Sequence, residues 1–273
     1  MVQRHAHTHI KTCDPQWEQL VQEAEAVKSQ EPALASFVYA TILAYNRVED
    51  AVCHRLAQRL AHADVDAGLL MHTFNDVLEA EPKLGDALRA DLAAVYDRDP
   101  ACKRLIEPLL YFKGFHALET YRLSHWLWNN GRRDFALYLQ SQSSRIFAVD
   151  IHPAAVIGRG IMFDHATGLV IGETAVVGDN ASILHGVTLG GSGKEGGDRH
   201  PKIGRGVMIG AGAKILGNIS VGDCSRVASG SVVLKDVPKN TTVAGVPARV
   251  VGEAGCAEPS RSMNQMLVPD ASE

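Results

Sequence analysis

IGRGVMIGAGAKILGNISVG, residues 203–222, is the stretch that decides the fold, because it repeats itself every six residues. An aliphatic residue stands at each sixth position, and a glycine directly follows three of these four residues. The same phase extends, with two interruptions, over residues 151–233. Its thirteen apolar positions are Ile151, Ile157, Phe163, Ile171, Val177, Ile183, Leu189, Ile203, Ile209, Ile215, Val221, Val227 and Val233.

A period of six fits neither the 3.6-residue period of a helix nor the two-residue period of a long strand. It is typical of a parallel β-helix, in which every six residues supply one short strand and one tight corner. The recurring apolar side chain points into the prism, while glycine tolerates the dihedral angles of the corner. Three such units make one triangular coil, and successive coils stack at about 4.8 Å, the usual strand spacing. We therefore predict a parallel β-helix over residues 145–252.

Two interruptions break the period, and extra residues in a regular coil project as loops, where functional residues gather. The step from Phe163 to Ile171 is eight residues and contains the sequence DHATG, residues 164–168. The step from Leu189 to Ile203 is fourteen and contains the glycine-rich sequence GGSGKEGGDRHP. This loop fails the nucleotide-binding glycine pattern. Two interpretations stay open: its backbone amides bind an anion or a developing oxyanion, or the loop forms a lid without a ligand.

Composition limits the partners and the compartment. With 273 residues and a net charge of −4, the chain has no electrostatic reason to bind nucleic acid or an acidic membrane surface. Its N-terminus does not resemble a signal peptide, and no apolar run approaches the roughly 20 residues of a membrane span. The five cysteines are scattered without metal-ligand spacing. We therefore predict a cytoplasmic protein without a metal.

Helical patterns fill the chain before the repeat. Asp14 is predicted to cap a helix that begins at Pro15, and further helices extend the predicted helical domain over residues 14–144. Residues 1–13 and 253–273 are predicted to be flexible terminal segments, because they lack a periodic apolar pattern. The predicted fold class is α+β and multidomain, with an all-α domain followed by the β-helix.

Three polar residues of the helical region need separate interpretation. Asp99 interrupts the helical pattern in front of Pro100, which on local evidence indicates a capping carboxylate at a turn. His116 and His125 are interpreted as packing or hydrogen-bonded histidines of a helix.

The coil geometry predicts one column of side chains. After correction for both interruptions, His165, His185, Ala211 and Ser229 stack on successive coils, and the two small residues border a groove for an extended ligand arm. Asp150 precedes His165 by fifteen residues, so around a corner its carboxylate is predicted to meet the imidazole. Such a pair forms a general base that takes a proton from a hydroxyl as it attacks a carbonyl. A corner residue bonded to backbone is the alternative for Asp150.

Eight motifs together resemble the serine O-acetyltransferase family over about residues 30–252. The motif near residue 245 is shared by many hexapeptide acyltransferases, whereas its combination with the helical motifs is highly specific. The motifs are DIHPAA (150–155), GRGIM (158–162), DHATG (164–168), VTLGG (187–191), GDRHP (197–201), AGVPAR (244–249), LLYFKGFHAL (109–118) and HWLW (125–128).

The resemblance implies transfer of acetyl from acetyl-CoA to the L-serine hydroxyl, giving O-acetyl-L-serine and CoA, the first step of cysteine biosynthesis from serine. It also implies inhibition by L-cysteine, a left-handed β-helix, and homotrimers with active sites between subunits that pair into a homohexamer. The family's tail often ends in Ile, which docks into O-acetylserine sulfhydrylase. This chain ends Ala271-Ser272-Glu273, so we expect weak or no complex with that enzyme.

The resemblance further implies roles for single residues. His165 would be the general base on the serine hydroxyl, and Asp150 the carboxylate that orients it. Asp99 and Asp164 would hold the substrate ammonium group, which replaces the capping interpretation of Asp99. The transfer would be direct, through a ternary complex, without a covalent acyl-enzyme.

The remaining implied contacts concern the substrate carboxylate and the coenzyme. Arg199 and His200 would bind the carboxylate of serine. Backbone amides of the glycine-rich loop would face the thioester, and the small residues of the column would line the pantetheine groove. The residues implied for coenzyme A are Gly191, Ser192, Ala211 and Ser229.

Three alternatives keep the prism. Another hexapeptide acyltransferase, acting on a sugar or antibiotic hydroxyl, would need His165 but neither Asp164 nor the long helical domain. A zinc enzyme of the γ-carbonic-anhydrase type would use histidines of the same prism, with His165, His185 and His200 as candidate ligands. A non-catalytic scaffold would need neither His165 nor Asp150.

Overall fold

The computed structural model describes residues 14–193 and 196–266. Its first half is helical, as predicted, and the side chain of Asp14 accepts a hydrogen bond of 3.1 Å from the backbone amide of Trp17, which confirms the first cap. A 3₁₀ turn and a π turn connect α1 to α3 through the short α2. The helices are α1 (Pro15–Gln30), α2 (Ala35–Val38), α3 (Val48–Leu60), α4 (Ala67–Ala80), α5 (Lys83–Arg98), α6 (Ile106–Leu110), α7 (Lys113–Asn129) and α8 (Arg133–Phe147).

Short parallel strands form three sheets, which are the three faces of a triangular prism. Face A contains β1 (Val149–Ile151), β4 (Leu169–Ile171), β7 (Thr188–Gly190), β10 (Lys214–Leu216) and β13 (Val232–Val233). Face B contains β2 (Val156–Ile157), β5 (Val176–Val177), β8 (Lys202–Ile203) and β11 (Ser220–Val221). Face C contains β3 (Met162–Asp164), β6 (Ser182–Leu184), β9 (Met208–Ile209), β12 (Arg226–Val227), β14 (Thr241–Gly245) and the antiparallel β15 (Ala248–Glu253).

Strand register confirms the six-residue phase and both interruptions. Ile151 pairs with Ile171, and Leu189 pairs with Ile215, so the two and eight extra residues leave the ladder intact. All thirteen predicted apolar positions are buried, with at most 8% of any of these residues exposed. Burial of each aliphatic side chain contributes about 1.5–3 kcal/mol, so the repeat is also the core of the prism. The parallel β-helix is therefore confirmed, whereas its left-handed sense stays a prediction.

Three edges separate the faces, and two of them carry the candidate site. The histidine edge, where the chain passes from face C to face A, comprises residues 165–168, 185–187, 211–213 and 229–231. The loop edge, between faces A and B, comprises residues 152–155, 172–175, 191–193, 196–201 and 217–219. The outer edge, between faces B and C, comprises residues 158–161, 178–181, 204–207 and 222–225.

Helices α5 and α7 pack directly on the prism. A Cβ atom on Gly114 of α7 would lie 2.2 Å from the carbonyl oxygen of Phe163, so this close approach to β3 requires a glycine. The buried Arg122 of α7 donates to the buried Asp91 of α5 at 2.6 Å and to the carbonyl of Gly158 at 2.7 Å. The helical region therefore holds the first coils of the prism in a fixed orientation.

The two ends of the chain are described in part. After β15, a short helix α9 (Pro259–Ser262) packs on face C, where the hydroxyl of Ser182 donates to the carbonyl of Ser260 at 2.8 Å. Residues 1–13 and 267–273, including the C-terminus that motivates the sulfhydrylase prediction, lie outside the described residues. Within the described ranges, no helix is long and apolar enough to cross a membrane.

Candidate active site

The predicted column lies along the histidine edge. The register pairs Phe163 with Ile183 and Ile183 with Ile209, and His165 and His185 each come two residues after the first and second of these apolar residues. Their rings meet edge-on, with centroids 5.9 Å apart. The backbone amides of Gly212 and Gly230 continue the ladder to the carbonyls of His185 and Ala211, both at 2.8 Å. Ala211 and Ser229 therefore follow the two histidines on successive coils, as the spacing predicts.

The two-residue excess projects His165 from the edge. His165 and Ala166 both adopt left-handed backbone conformations, with φ of 54° and 59°. Residues other than glycine rarely adopt this conformation, and it concentrates at functional sites. The ammonium of Lys113 donates to the hydroxyl of Thr167 and so attaches α7 to this bulge. The His165 side chain consequently reaches solvent, with 78% of its surface exposed.

A cavity of about 320 Å³ brings together three of the predicted residues, Asp99, Asp164 and His165. Asp99 follows the C-terminal end of α5 and accepts a hydrogen bond of 2.8 Å from the amide of Ala101. It therefore lies at a turn, as predicted, but because Ala101 belongs to no helix its carboxylate does not serve as the predicted helix cap. Asp164 lies at the end of β3, with its Oδ1 atom 3.9 Å from Nε2 of His165. Lys113 completes one wall of this cavity.

Electrostatics in this cavity favour a cationic ligand. Burial raises the pKa of Asp164; the neighbouring His165 opposes this rise, whereas the negative charge of Asp99 adds to it. Two carboxylates that repel each other are both stabilised when a cation enters between them. The pair therefore fits an ammonium group beside an exposed imidazole.

Asp150 lies on face A with its neighbours Val149 and Ile151 buried in the prism. Its Oδ1 atom accepts a hydrogen bond of 2.7 Å from Nε2 of Gln140 on α8. Among the described side chains of one chain, no hydrogen bond joins Asp150 to His165, whose ion-pair contact is with Asp164. The structure therefore does not show the predicted carboxylate–imidazole contact.

Arg199 and His200 lie on the loop edge instead. Arg199 forms an ion pair of 2.7 Å with Glu173, and Nδ1 of His200 lies 2.9 Å from the hydroxyl of Thr174. A Cβ atom on Gly172 would lie 2.0 Å from Nε2 of His200, so a side chain there would displace the imidazole. Burial, and then the charge of Arg199, lowers the pKa of His200. An imidazole that is neutral at physiological pH suits a hydrogen bond to a ligand carboxylate.

The residues predicted to contact coenzyme A are divided between the same two edges. Gly191 lies against the side chain of Arg199 on the loop edge, and Ser192 follows it. Ala211 and Ser229 belong to the histidine edge, where the Ser229 hydroxyl donates to Oε1 of Gln265 at 3.2 Å. Both the substrate set and the coenzyme set are thus split between two edges of one prism.

Sequence reasoning assigned no role to three contacts of the site. Lys113 lies within a sequence motif of the family resemblance, but that motif does not indicate a role for it. No sequence pattern indicates Gln140, since its contact with Asp150 depends on how α8 packs. No sequence pattern indicates Thr174 either, although it holds both Arg199 and His200 through its hydroxyl.

A zinc site formed by His165, His185 and His200 within one chain does not fit this geometry. The first two lie together on the histidine edge, but His200 belongs to the loop edge. Across residues 14–193 and 196–266, no three His, Cys, Asp or Glu side chains converge as a metal site.

Known proteins provide an independent comparison. The family model described as "Serine acetyltransferase, N-terminal" matches residues 16–120, and the model "Bacterial transferase hexapeptide (six repeats)" matches residues 200–235. The serine acetyltransferase of Salmonella typhimurium is 54% identical over 249 residues, which cover 91% of each chain.

Solved structures agree with this result. The serine acetyltransferase of Brucella abortus in complex with coenzyme A has a TM-score of 0.88 and 62% identity, covering 90% of this chain and 98% of the other. A serine acetyltransferase in complex with cysteine has a TM-score of 0.91 and 51% identity, covering 93% and 98%. That of Neisseria gonorrhoeae in complex with serine has a TM-score of 0.85 and 49% identity, covering 88% and 99%. The chain therefore belongs to the serine acetyltransferase family of acyltransferases.

Proposed function

We propose that this protein transfers the acetyl group of acetyl-CoA to the hydroxyl of L-serine, giving O-acetyl-L-serine and CoA, the first step of cysteine biosynthesis from serine. The observation that carries the proposal is the cavity that unites His165 with Asp99 and Asp164. It offers a base for a hydroxyl next to two carboxylates for an ammonium, which is the pattern of polar groups in serine. Relatives in complex with coenzyme A and with serine support the same pair of substrates.

In the proposed reaction, His165 is the general base. Its imidazole takes the proton of the serine hydroxyl as the oxygen attacks the thioester carbonyl. The carbon–oxygen bond forms, the carbonyl becomes an oxyanion, and the carbon–sulfur bond then breaks. The imidazolium returns the proton to the leaving thiolate, so the base is regenerated. Cys224 lies on the outer edge, away from His165, which supports direct transfer without an acyl-enzyme.

Asp150 orients His165 in this proposal. A carboxylate beside an imidazole fixes its tautomer and stabilises the imidazolium that forms during the reaction. Asp150 lies on face A, the face that begins at the histidine edge. Its bond to Gln140 must then be exchanged or shared when the substrates bind.

We propose that the residues that bind serine come from two subunits. Asp99 and Asp164 bind the ammonium of serine, and Arg199 and His200 of a second copy bind its carboxylate. This division follows from the two edges, because one prism cannot present both sets to one small molecule. Homotrimers built on face A would bring the histidine edge of one subunit to the loop edge of the next, and two such trimers form the proposed homohexamer.

Coenzyme A is proposed to bind in the same cleft. Its pantetheine arm follows the small residues Ala211 and Ser229 along the histidine edge. The amides of Gly191 and Ser192, on the facing loop edge, stabilise the oxyanion, as backbone N–H groups do in other acyl-transfer enzymes. No metal is required by these steps.

L-Cysteine is proposed to inhibit the reaction at the serine site. Cysteine carries the same ammonium and carboxylate groups and differs in a thiol for a hydroxyl, so the same residues would bind it. The cysteine complex of a relative supports this assignment. We place the reaction in the cytoplasm, because the cysteines Cys53, Cys102, Cys224 and Cys256 are free, as in reducing compartments.

The experiment is a thiol-release assay with acetyl-CoA and L-serine, L-homoserine or a sugar as acceptor. We expect release with L-serine and a loss in kcat of at least about a hundredfold in His165→Ala, the lower range for removal of a general base. His72→Ala, which changes an exposed helical histidine, is the matched control and should retain activity. Preference for the sugar, or an active His165→Ala variant, would contradict the proposal.

A further inference from the structure

Arg98 is buried where α5 ends on the prism, with 7% of the residue exposed. Its Nη1 atom donates to the hydroxyl of Ser182 at 3.1 Å and to the carbonyl of Ala181 at 3.3 Å, and lies 3.4 Å from the carbonyl of Asn180. These acceptors belong to β6 and the corner before it. The next residue in the chain is Asp99, which lines the candidate active site.

The charge of Arg98 is compensated in an unusual way. In the described part of the chain, no ion pair includes Arg98, so its guanidinium is held by neutral oxygens. Burial of a guanidinium without a carboxylate partner costs solvation energy and is weak evidence for a stabilising role. What the contact provides is geometry, since all three oxygens lie around the single atom Nη1, and the planar guanidinium fixes the direction in which this nitrogen donates.

This contact connects the two carboxylates of the site. Ser182 pairs with Met162 in the parallel ladder between β6 and β3, and two residues further along this ladder Asp164 pairs with Leu184. The route from Asp99 to Asp164 therefore runs through one guanidinium and one strand pairing. Upstream, the buried Asp91 accepts a hydrogen bond of 2.7 Å from the amide of Ile161, which attaches α5 to the preceding coil as well.

We propose that Arg98 is a positioning residue, which sets the separation of the Asp99 and Asp164 carboxylates by fixing the last turn of α5 on β6. The inference rests on the proposed function, in which these carboxylates bind the ammonium of serine. Loss of the Nη1 contacts releases the end of α5, so Asp99 withdraws from the site. Affinity for the acceptor falls, while the acetyl-CoA groove and the base are unchanged.

The test is steady-state kinetics of Arg98→Lys, which keeps the buried charge but replaces the planar guanidinium by a shorter side chain whose ammonium does not fix the direction of donation. We expect the KM for L-serine to rise about tenfold, equivalent to about 1.4 kcal/mol, with the KM for acetyl-CoA nearly unchanged. Arg205→Lys is the matched control. Arg98 and Arg205 both line a second cavity, of about 370 Å³, but Arg205 is exposed. Its kinetic constants should equal those of the wild type.

A double-mutant cycle separates positioning from general damage. Asp99→Asn alone should raise the KM for L-serine, and addition of Arg98→Lys should then change it by less than about twofold, because coupled residues are non-additive. Additive effects, or an unchanged KM in Arg98→Lys with active wild-type protein, would overturn the inference alone. Wild-type protein that releases no thiol with L-serine contradicts the proposed function, and the inference falls with it.

A second variant decides the matter if Arg98→Lys does not fold. Ser182→Ala removes one of the oxygens that hold the guanidinium, together with the bond of this hydroxyl to Ser260, without altering any charge. We expect a rise of about threefold in the KM for L-serine, again lost in the Asp99→Asn background. Equal KM values for Ser182→Ala and the wild type would then overturn the inference.

Discussion

His116 on α7 is a neutral histidine enclosed by the helical core, with 1% of the residue exposed. Its Nε2 atom donates to the carbonyl of Leu109 at 2.7 Å, and its ring packs against Phe115 and Phe147. Among the described residues, Nδ1 has no hydrogen-bond partner. Burial lowers the pKa of His116 to about 3; the hydrogen bond to Leu109 opposes this change, whereas the charges of Arg55 and Arg59 add to it. This confirms the interpretation of His116 as a packing, hydrogen-bonded histidine.

A pH dependence of stability follows from His116. The unfolded chain binds a proton at this site below about pH 6.5 and the folded chain does not, so acid favours unfolding. The stability that the neutral His116 contributes is complete above pH 6.5. As the pH falls from 6.5 to about 3, the free energy of unfolding decreases by up to about 1.4 kcal/mol per pH unit. We expect a flatter decline of the unfolding free energy in His116→Gln, measured by denaturant titration at pH 7, 6 and 5.

The control for this prediction is His72→Gln, because His72 is a helical histidine with 78% of its side chain exposed. Its stability should follow the pH dependence of the wild type. Parallel pH profiles for His116→Gln and the wild type would show that His116 does not cause the acid sensitivity.

At the residue scale, the sequence predicts contacts well where the six-residue period determines them. His165 and His185 meet because both follow a paired strand by the same number of residues. Asp150 and His165 are different, since fifteen residues of spacing do not determine where a side chain points. Gln140, which arrives from α8, accounts for the orientation of Asp150, and the packing of that helix has no signal in the local pattern.

At the scale of elements, the contact between α7 and β3 depends on one missing side chain. Gly114→Ala would place its Cβ atom 2.2 Å from the Phe163 carbonyl oxygen, a backbone atom that cannot rotate away. We expect a loss of about 2–3 kcal/mol in unfolding free energy, typical of an overpacked core. Activity should also fall, because Gly114 lines the cavity that contains Asp164. Thermal unfolding and the thiol-release assay check these outcomes.

Gly252→Ala provides the comparison for this contact. Gly252 lies on the exposed β15, and an added Cβ atom would meet nothing within 4 Å. Its Tm should therefore stay near that of the wild type. A Gly114→Ala variant as stable as Gly252→Ala would mean that α7 moves away from β3 at little cost.

Elements were easier to predict from sequence than their packing. The β-helix follows from a period of six, and the helices follow from apolar spacing and caps such as Asp14. The seating of α5 and α7 on the prism depends instead on single long-range contacts. Examples are the hydrogen bond from the amide of Ile161 to Asp91 and the contacts of the Arg98 guanidinium with the corner before β6. No local sequence pattern predicts them.

At the scale of the whole molecule, the division of the site between two edges predicts that two subunits build each active site. Mixed oligomers of His165→Ala and Arg199→Ala should recover activity that neither variant has alone. With random mixing, half of the subunits carry an intact His165, and the facing subunit carries an intact Arg199 in half of the cases. About a quarter of the sites are then complete. Co-expression, followed by the thiol-release assay at limiting L-serine, measures this recovery.

The geometry also supplies a control that should fail to recover. His165 and Asp164 belong to the same histidine edge, so a site that needs both must take them from one subunit. Mixtures of His165→Ala and Asp164→Asn therefore contain no complete site and should stay inactive. Recovery in both mixtures, or in neither, would contradict the shared site, because the loop edge and the histidine edge would then not face each other across the subunit boundary.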